Sequence, residues 1–380
     1  MKHVIACIFH PPSGASEAER LVDAGRRAAA RDLISTLREA GLEPILVASA
    51  APDEARSNDT SDIEVLDTGG TGPFHLGETL QSLIRRRGPD GLLYFGSGSG
   101  LLLSQARIEQ LRRFASEDGP AALFNNFYSC DFAAISKAAC LLEVELPRAD
   151  NPLGFALADA GVPCSTLERS AETQFDIDTP TDLLILNASE RGGPAIRSLL
   201  DRLDLAHPFL PTILNLLSDR SAHVHFVGRL SPRTWADVEN EIACRTSGSI
   251  EGRGMRAGTN AHVPFLQQTL REDGAQAFFR RLSLACDGAV IDTRPLLASE
   301  GRLPEASVRF ASDLLRPDAI ADPAWRSFTE AALDTPISVL LGGHSAVSGG
   351  LYLLAEACWK GRDLDRRLHP EPFDPDKERS

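Results

Sequence analysis

The 380-residue chain is short of positive charge, with 39 Lys and Arg against 53 Asp and Glu and a formal net charge of −14. That balance repels phosphate backbones and anionic headgroups, so the expectation is no nucleic-acid partner and no membrane partner. A local basic pocket for phosphate remains compatible with it. The cysteines lack any pairing pattern: Cys7, Cys130, Cys140, Cys164, Cys244, Cys286 and Cys358 are scattered, odd in number, and form no Cys-x-x-Cys. This argues against a zinc site or a disulfide framework and fits a reducing, cytoplasmic setting. No apolar run is long enough to span a bilayer, residues 1–9 are too short a run for a signal peptide, and no repeat period is visible. What is present is a globular composition, 43% hydrophobic and 24% charged, in a chain too long for one ordinary core. Two domains are therefore expected.

The stretch that carries most chemistry is Phe175-Asp176-Ile177-Asp178-Thr179-Pro180-Thr181-Asp182-Leu183. Residues 175–178 alternate apolar and acidic, as the end of a half-buried strand does. Thr179 then suits an N-cap, Pro180 the first helical position, and Asp182 the positive end of the helix. Asp176 and Asp178 fall on one face of an extended segment where a strand becomes a helix. Two carboxylates there suit a divalent cation held against phosphate oxygens, or equally a capped junction with surface acids.

Asp-Ile-Asp-Thr-Pro-Thr-Asp-Leu resembles the late motif of the nucleotidyltransferases that build molybdenum-cofactor dinucleotides and of the phospholactate guanylyltransferases. The resemblance covers residues 1–190 at most. It implies a nucleotide-diphospho-sugar transferase fold, a Rossmann-like three-layer α/β domain. It also implies that Asp178 helps to hold a catalytic Mg²⁺; the expectation added to it is that Asp176 or Asp131 assists, with Asp178 and Asp176 as the catalytic carboxylates.

The first half reads as strand, loop, helix, strand. Residues 3–9 are a buried strand, and a loop with Ser13, Gly14 and Ser16 leads into a helix over 17–40, followed by a strand at 44–48. A loop in that position is where α/β folds place phosphates, which makes Ser13, Gly14 and Arg20 candidate phosphate contacts. Arg26 and Arg27 suit phosphates or plain solvation equally. A strand at 91–95 runs into Gly96-Ser97-Gly98-Ser99-Gly100, where the resembling enzymes carry a metal-binding acid. Gly96, Ser97 and Gly98 are read as ligand-facing, since glycine amides can donate to phosphate. Asp131 is the substitute for the missing metal ligand. Asn125 and Asn126, at the end of a strand at 121–124, are candidates for reading a base or a sugar hydroxyl.

Residues 191–365 read as a mainly helical domain with a lone strand at 222–227, whose His223 and His225 share a face, and 366–380 as a tail. Residues 245–258 read as a Gly- and Arg-rich loop in which Arg253 is a candidate ligand contact. Asp292 with Arg294, and Arg309 with Asp313, read as local ion pairs. His344, between Gly342-Gly343 and Ser345, is a further candidate; the surroundings are not a Gly-x-Ser-x-Gly elbow. The reading expected is a nucleotidyltransferase-like protein that binds an NTP with Mg²⁺ and moves a nucleoside monophosphate to a small phosphorylated or carboxylated acceptor. The alternatives are a glycosyltransferase using a nucleotide sugar, and an inactive binding protein of the same fold.

Overall fold

The structure is a computed structural model that describes residues 2–55, 63–69, 74–251, 263–298 and 303–362. Its first half is built on a seven-stranded sheet: β1 (Val4–His10), β2 (Ile45–Ser49), β3 (Glu64–Asp67), β4 (Gly91–Gly96), β5 (Ala121–Phe124), β6 (Phe132–Ser136) and β7 (Cys164–Thr166), in the order β3-β2-β1-β4-β6-β5-β7. All pairings are parallel except those of β6, which runs antiparallel to β4 and β5. Successive residues of β1 point to opposite faces. Ala6 and Ile8 pack with Leu33 and Leu37 of the helix Glu17–Glu39, while Ile5 and Cys7 pack with Leu80 and Leu83 of the helix Leu76–Arg87. This is a Rossmann-like three-layer α/β arrangement. The helix Glu17–Glu39 starts where it does because Ser16 and Glu19 form a capping box.

The second half departs from the expected lone strand. By residue count it is mainly helical, but its organising element is a second sheet of β8 (His223–Gly228), β9 (Arg245–Ile250), β10 (Gly288–Asp292) and β11 (Ser338–Gly342), all parallel, in the order β11-β10-β8-β9. These strands are covered on both faces. Val224, Phe226 and Leu340 pack with Leu351 and Leu354 on one side, and Ala289, Ile291 and Val339 with Phe279 and Phe328 on the other. A fully buried strand of five residues has no alternation and cannot be told from a helix segment by periodicity. Residues 245–250, expected to be loop, form β9 on the sheet edge.

Two features of this topology place the site. In the first sheet the chain progresses from β1 outward through β2 and β3, then returns to the other side of β1 as β4. In the second it goes from β8 to β9, then returns to the other side of β8 as β10. Each sheet therefore has a switch point, between β1 and β4 and between β8 and β10, where a crevice opens beyond the carboxyl ends of the strands. A single hydrophobic cluster runs between the sheets, with Val22, Leu183, Phe226 and Leu340 among its members. Among the described residues, no helix is long and apolar enough to cross a membrane.

Candidate active site

The Phe175–Leu183 stretch is gripped from both sides. From the first sheet, Ser99 bridges to Asp176, and the Ile177 N–H donates to the Gly98 carbonyl at 3.1 Å. Gly98 has to be glycine: a Cβ there would lie 2.5 Å from Asp176 Oδ1 and 2.8 Å from the Ile177 carbonyl oxygen. From the second sheet, Ser345 Oγ donates to the Asp176 carbonyl at 2.6 Å, and Thr181 Oγ1 donates to the Leu341 carbonyl at 2.6 Å. Ser345 is thus committed to backbone rather than presented as a nucleophile. Thr179 and Asp182 form a capping box on the helix Pro180–Ser189, where Asp182 Oδ2 accepts from the N–H groups of Asp178 and Thr179 at 3.0 and 2.7 Å. Burial, and then the charge of Asp178, push the Asp182 carboxyl up to about 7.

Asp176 and Asp178 are half-buried and face the crevice at the β1/β4 switch point. Burial pushes the Asp176 carboxyl well above the usual carboxylate range, and the charges of Asp178 and Asp131 add to it. Asp131 is raised to about 8, first by burial and then by Asp178. Its position is set by Asn125, which donates to Asp131 Oδ2 at 2.7 Å and accepts from the Asp131 N–H at 2.9 Å. The local counter-charge is Arg26: its Nε donates to the Ile177 carbonyl at 2.7 Å and its Nη2 to Asp178 Oδ1 at 3.2 Å. Asp131, Asp176 and Asp178 repel one another, and that repulsion is opposed by Arg26 and, at Asp131, by Arg169. Among the described residues no three His, Cys, Asp or Glu side chains close on a common metal position. Asp176 and Asp178 on one wall are oxygen donors of the kind that Mg²⁺ takes singly or in pairs.

Two cavities meet at this point. The first, about 360 Å³, lies over the carboxyl ends of β1, β2 and β4; Phe9, Phe74, Tyr94 and Arg148 line it together with Asp176 and Asp178. The Phe9 ring meets Tyr94 edge-on at 5.3 Å and Phe74 at 5.8 Å, and Phe74 is 47% exposed, which leaves an aromatic face open. The Tyr94 hydroxyl donates to Asp150 at 3.1 Å. The second cavity, about 430 Å³, lies over the carboxyl ends of β8, β10 and β11, with Arg229, Arg294, Arg309 and His344 in its wall. Pro11, Pro12, Arg26 and Asp178 border both.

Gly96, Ser97 and Gly98 line the first cavity, and Gly14 and His344 the second. Burial, and then Arg229, press the His344 imidazole down to about 4, so it is neutral at neutral pH. Ser13 lines neither cavity; it hydrogen-bonds Asp23, which is also paired with His10 at 3.0 Å and Arg27 at 2.5 Å. Arg20 is exposed and turns back to the Ala15 carbonyl. Asn125 and Asn126 are buried, 2% and 7% exposed, and their side chains serve the turn between β5 and β6. Arg253 lies outside the described residues. Arg26, for which phosphate contact and solvation are equal readings of the sequence, sits at the junction; residues that sequence reasoning passed over are the aromatic wall Phe9, Phe74 and Tyr94, and Arg229.

No protein-family model matches the chain, and the search of curated proteins gave no match. Among solved structures, it is similar to a nucleotidyl transferase from Methanothermobacter thermautotroptrophicus, at 17% identity over 53% of this chain and 98% of the other, with a TM-score of 0.38. It is also similar to a protein from Desulfovibrio desulfuricans G20 described as a nucleotide-diphospho-sugar transferase, at 12% identity over 53% of this chain and 95% of the other, TM-score 0.41. A cytidylyltransferase from Leptospira borgpetersenii is 10% identical over 55% of this chain and 100% of the other, TM-score 0.38. Likenesses this distant concern fold alone, and nothing about activity follows from them.

Proposed function

We propose that the chain is a nucleotidyltransferase that holds a nucleoside triphosphate at the β1/β4 switch point and transfers its nucleoside monophosphate to a small phosphorylated or carboxylated acceptor. The observation that carries this reading is the pair Asp176 and Asp178 at the mouth of the first cavity, clamped by the Ser99 backbone on one side and the Ser345 hydroxyl on the other. In this reading the base lies against the open face of Phe74, and Arg26 meets the phosphates, because the Gly96 and Ser97 amides are spent on the Asp131 and Phe9 carbonyls. An acceptor oxygen attacks the α-phosphorus, the bond from that phosphorus to the α–β bridging oxygen breaks, and pyrophosphate leaves. A phosphate or carboxylate nucleophile carries no proton to be removed, so the work is alignment and charge neutralisation rather than covalent catalysis. Mg²⁺, held by Asp178 and Asp176, supplies Lewis-acid neutralisation of the polyphosphate when bound. Arg26 draws Asp178 toward the border of the two cavities, and Gly98 lets Asp176 sit close to the turn.

The test is titration of the full chain with the four NTPs and with nucleotide sugars, with and without Mg²⁺, for the wild type and Asp178→Asn. Metal-dependent binding of an NTP that falls by roughly ten- to a hundredfold in Asp178→Asn is expected, the usual cost of losing a metal-site group. Binding of nucleotide sugars alone points to glycosyl transfer. Binding of no nucleotide at all removes the proposal.

A further inference from the structure

The second cavity is not needed to hold a nucleotide, yet it sits at the switch point of its own parallel sheet, where such folds bind ligands. Its charges are distributed in a particular way. The carboxylates on its wall are already engaged: Asp178 by Arg26, Asp23 by His10 and Arg27, and Glu19 by the Ser16 amide at 2.9 Å. Of the arginines, Arg294 is fully committed, buried in a double bond to Asp313 at 2.7 Å and 2.7 Å. Arg229 is fixed by Asp292 through Nε at 2.6 Å and Nη2 at 3.2 Å, and its Nη1 has no partner among the described residues. Arg309 spends its Nε on the Pro304 carbonyl at 2.9 Å and lies over the Phe310 ring, and among the described residues no carboxylate comes within ion-pair distance of it. Its guanidinium is held below the usual arginine range, by burial and then by Arg294, against the opposing charges of Asp313, Asp178 and Glu19, none of them in an ion pair with it. The first turn of the helix Ala306–Asp313, which has no side-chain cap, opens on the same space at Ala306.

We infer that this cavity is an oxyanion site supplied by the second half of the chain, in which Arg309 and Arg229 receive the phosphate group of the acceptor. Two guanidinium groups from two separate elements suit a dianion with several oxygens better than a carboxylate, which one guanidinium fork satisfies. The volume of about 430 Å³ is that of a small-molecule site. Neutral His344 on the same wall offers a hydrogen bond without adding charge. A phosphate seated there lies on the Arg26 and Asp178 side of the nucleotide crevice, so the second sheet selects the acceptor while the first holds the donor. The word acceptor rests on the nucleotidyl-transfer reading; the oxyanion site does not.

The test is isothermal titration of the full chain with inorganic phosphate and, separately, acetate, using wild type, Arg309→Gln and Arg309→Lys. Arg309 makes no ion pair among the described residues and Asp313 keeps Arg294, so both variants are expected to stay close to the wild-type melting temperature. Phosphate should bind the wild type in preference to acetate, about tenfold more weakly to Arg309→Gln, and at an intermediate level to Arg309→Lys, as loss of one charge-assisted pair predicts. Equal phosphate affinity in wild type and both variants overturns the site, as does no phosphate binding to the wild type. Acetate bound as tightly as phosphate overturns the assignment of a dianion. A separate NTP titration tells the two readings apart: phosphate bound through Arg309 with no nucleotide bound ends the transferase reading and leaves this one standing.

Discussion

Replacing Gly98 by alanine puts the clamp on the acidic pair to the test. The new methyl carbon would sit 2.5 Å from Asp176 Oδ1, 2.8 Å from the Ile177 carbonyl oxygen and 3.1 Å from the Ile177 nitrogen. The first contact is cheap to relieve, because a carboxylate can turn away. The other two are backbone, and ordinary contact begins at 3.4 Å, so the Ile177 peptide has to retreat by roughly 0.6 Å. That retreat also strains the Ile177 N–H bond to the Gly98 carbonyl. Overpacking of this kind costs about 1–3 kcal/mol. A displacement approaching 1 Å in a positioned group costs up to about a hundredfold in rate. Gly98→Ala is therefore expected to melt earlier than the wild type and to bind nucleotide with Mg²⁺ roughly tenfold or more weakly. Gly119→Ala is the control: its Cβ would meet nothing within 4 Å, and it should stay within about 0.5 kcal/mol of the wild type. The assays are calorimetric melting and nucleotide titration. If Gly98→Ala matches the wild type in both, the turn does not hold the acids and the account of the site is wrong.

Two further predictions concern stability. Breaking the buried Arg294–Asp313 pair by Asp313→Asn leaves an uncompensated guanidinium and should lower stability by about 3–5 kcal/mol, while the double variant Arg294→Met, Asp313→Leu should recover much of that loss in chemical denaturation. His207 is buried, 6% exposed, with its Nε2 unpartnered, and burial presses it down to about 4 from the usual 6.5. Above pH 6.5 it is neutral folded and unfolded; as pH falls from there to 4 only the unfolded chain takes the proton, so up to about 3 kcal/mol of stability is lost across that window. The melting temperature of His207→Gln should fall less steeply than that of the wild type between pH 6.5 and 4, and an identical slope would contradict this.

The sequence was most readable where local rules and tertiary packing agree. The short apolar runs at β1, β2 and β4 and the capping signals of Thr179 and Pro180 all describe what the chain does there. It was least readable where partner choice is tertiary. Arg294 lies two residues after Asp292, and Arg309 four before Asp313, yet in space Arg294 takes Asp313 and Asp292 takes Arg229. That exchange leaves Arg309 with no carboxylate in ion-pair distance among the described residues, and nothing in the spacing signals it. Strand β6, with Ala-rich and fully buried residues, and the five-residue strands β10 and β11 carry no period to read. Consecutive Asn125 and Asn126 looked like ligand groups because short amides suit both uses; here they satisfy backbone at a turn. The glycines beside His344 had a packing reason after all, since a Cβ on Gly343 would lie 2.8 Å from Thr179.

Ser345 belongs to the second sheet's loop, yet it holds the peptide of an acid whose sequence neighbours belong to the first. The aim of Asp176 is therefore a joint property, and neither half owns it. A chain cut between the two would keep the carboxylates and lose one of the jaws that points them. Any sliding of one sheet against the other is felt first at that peptide, which makes the acidic pair a gauge of how the halves are seated.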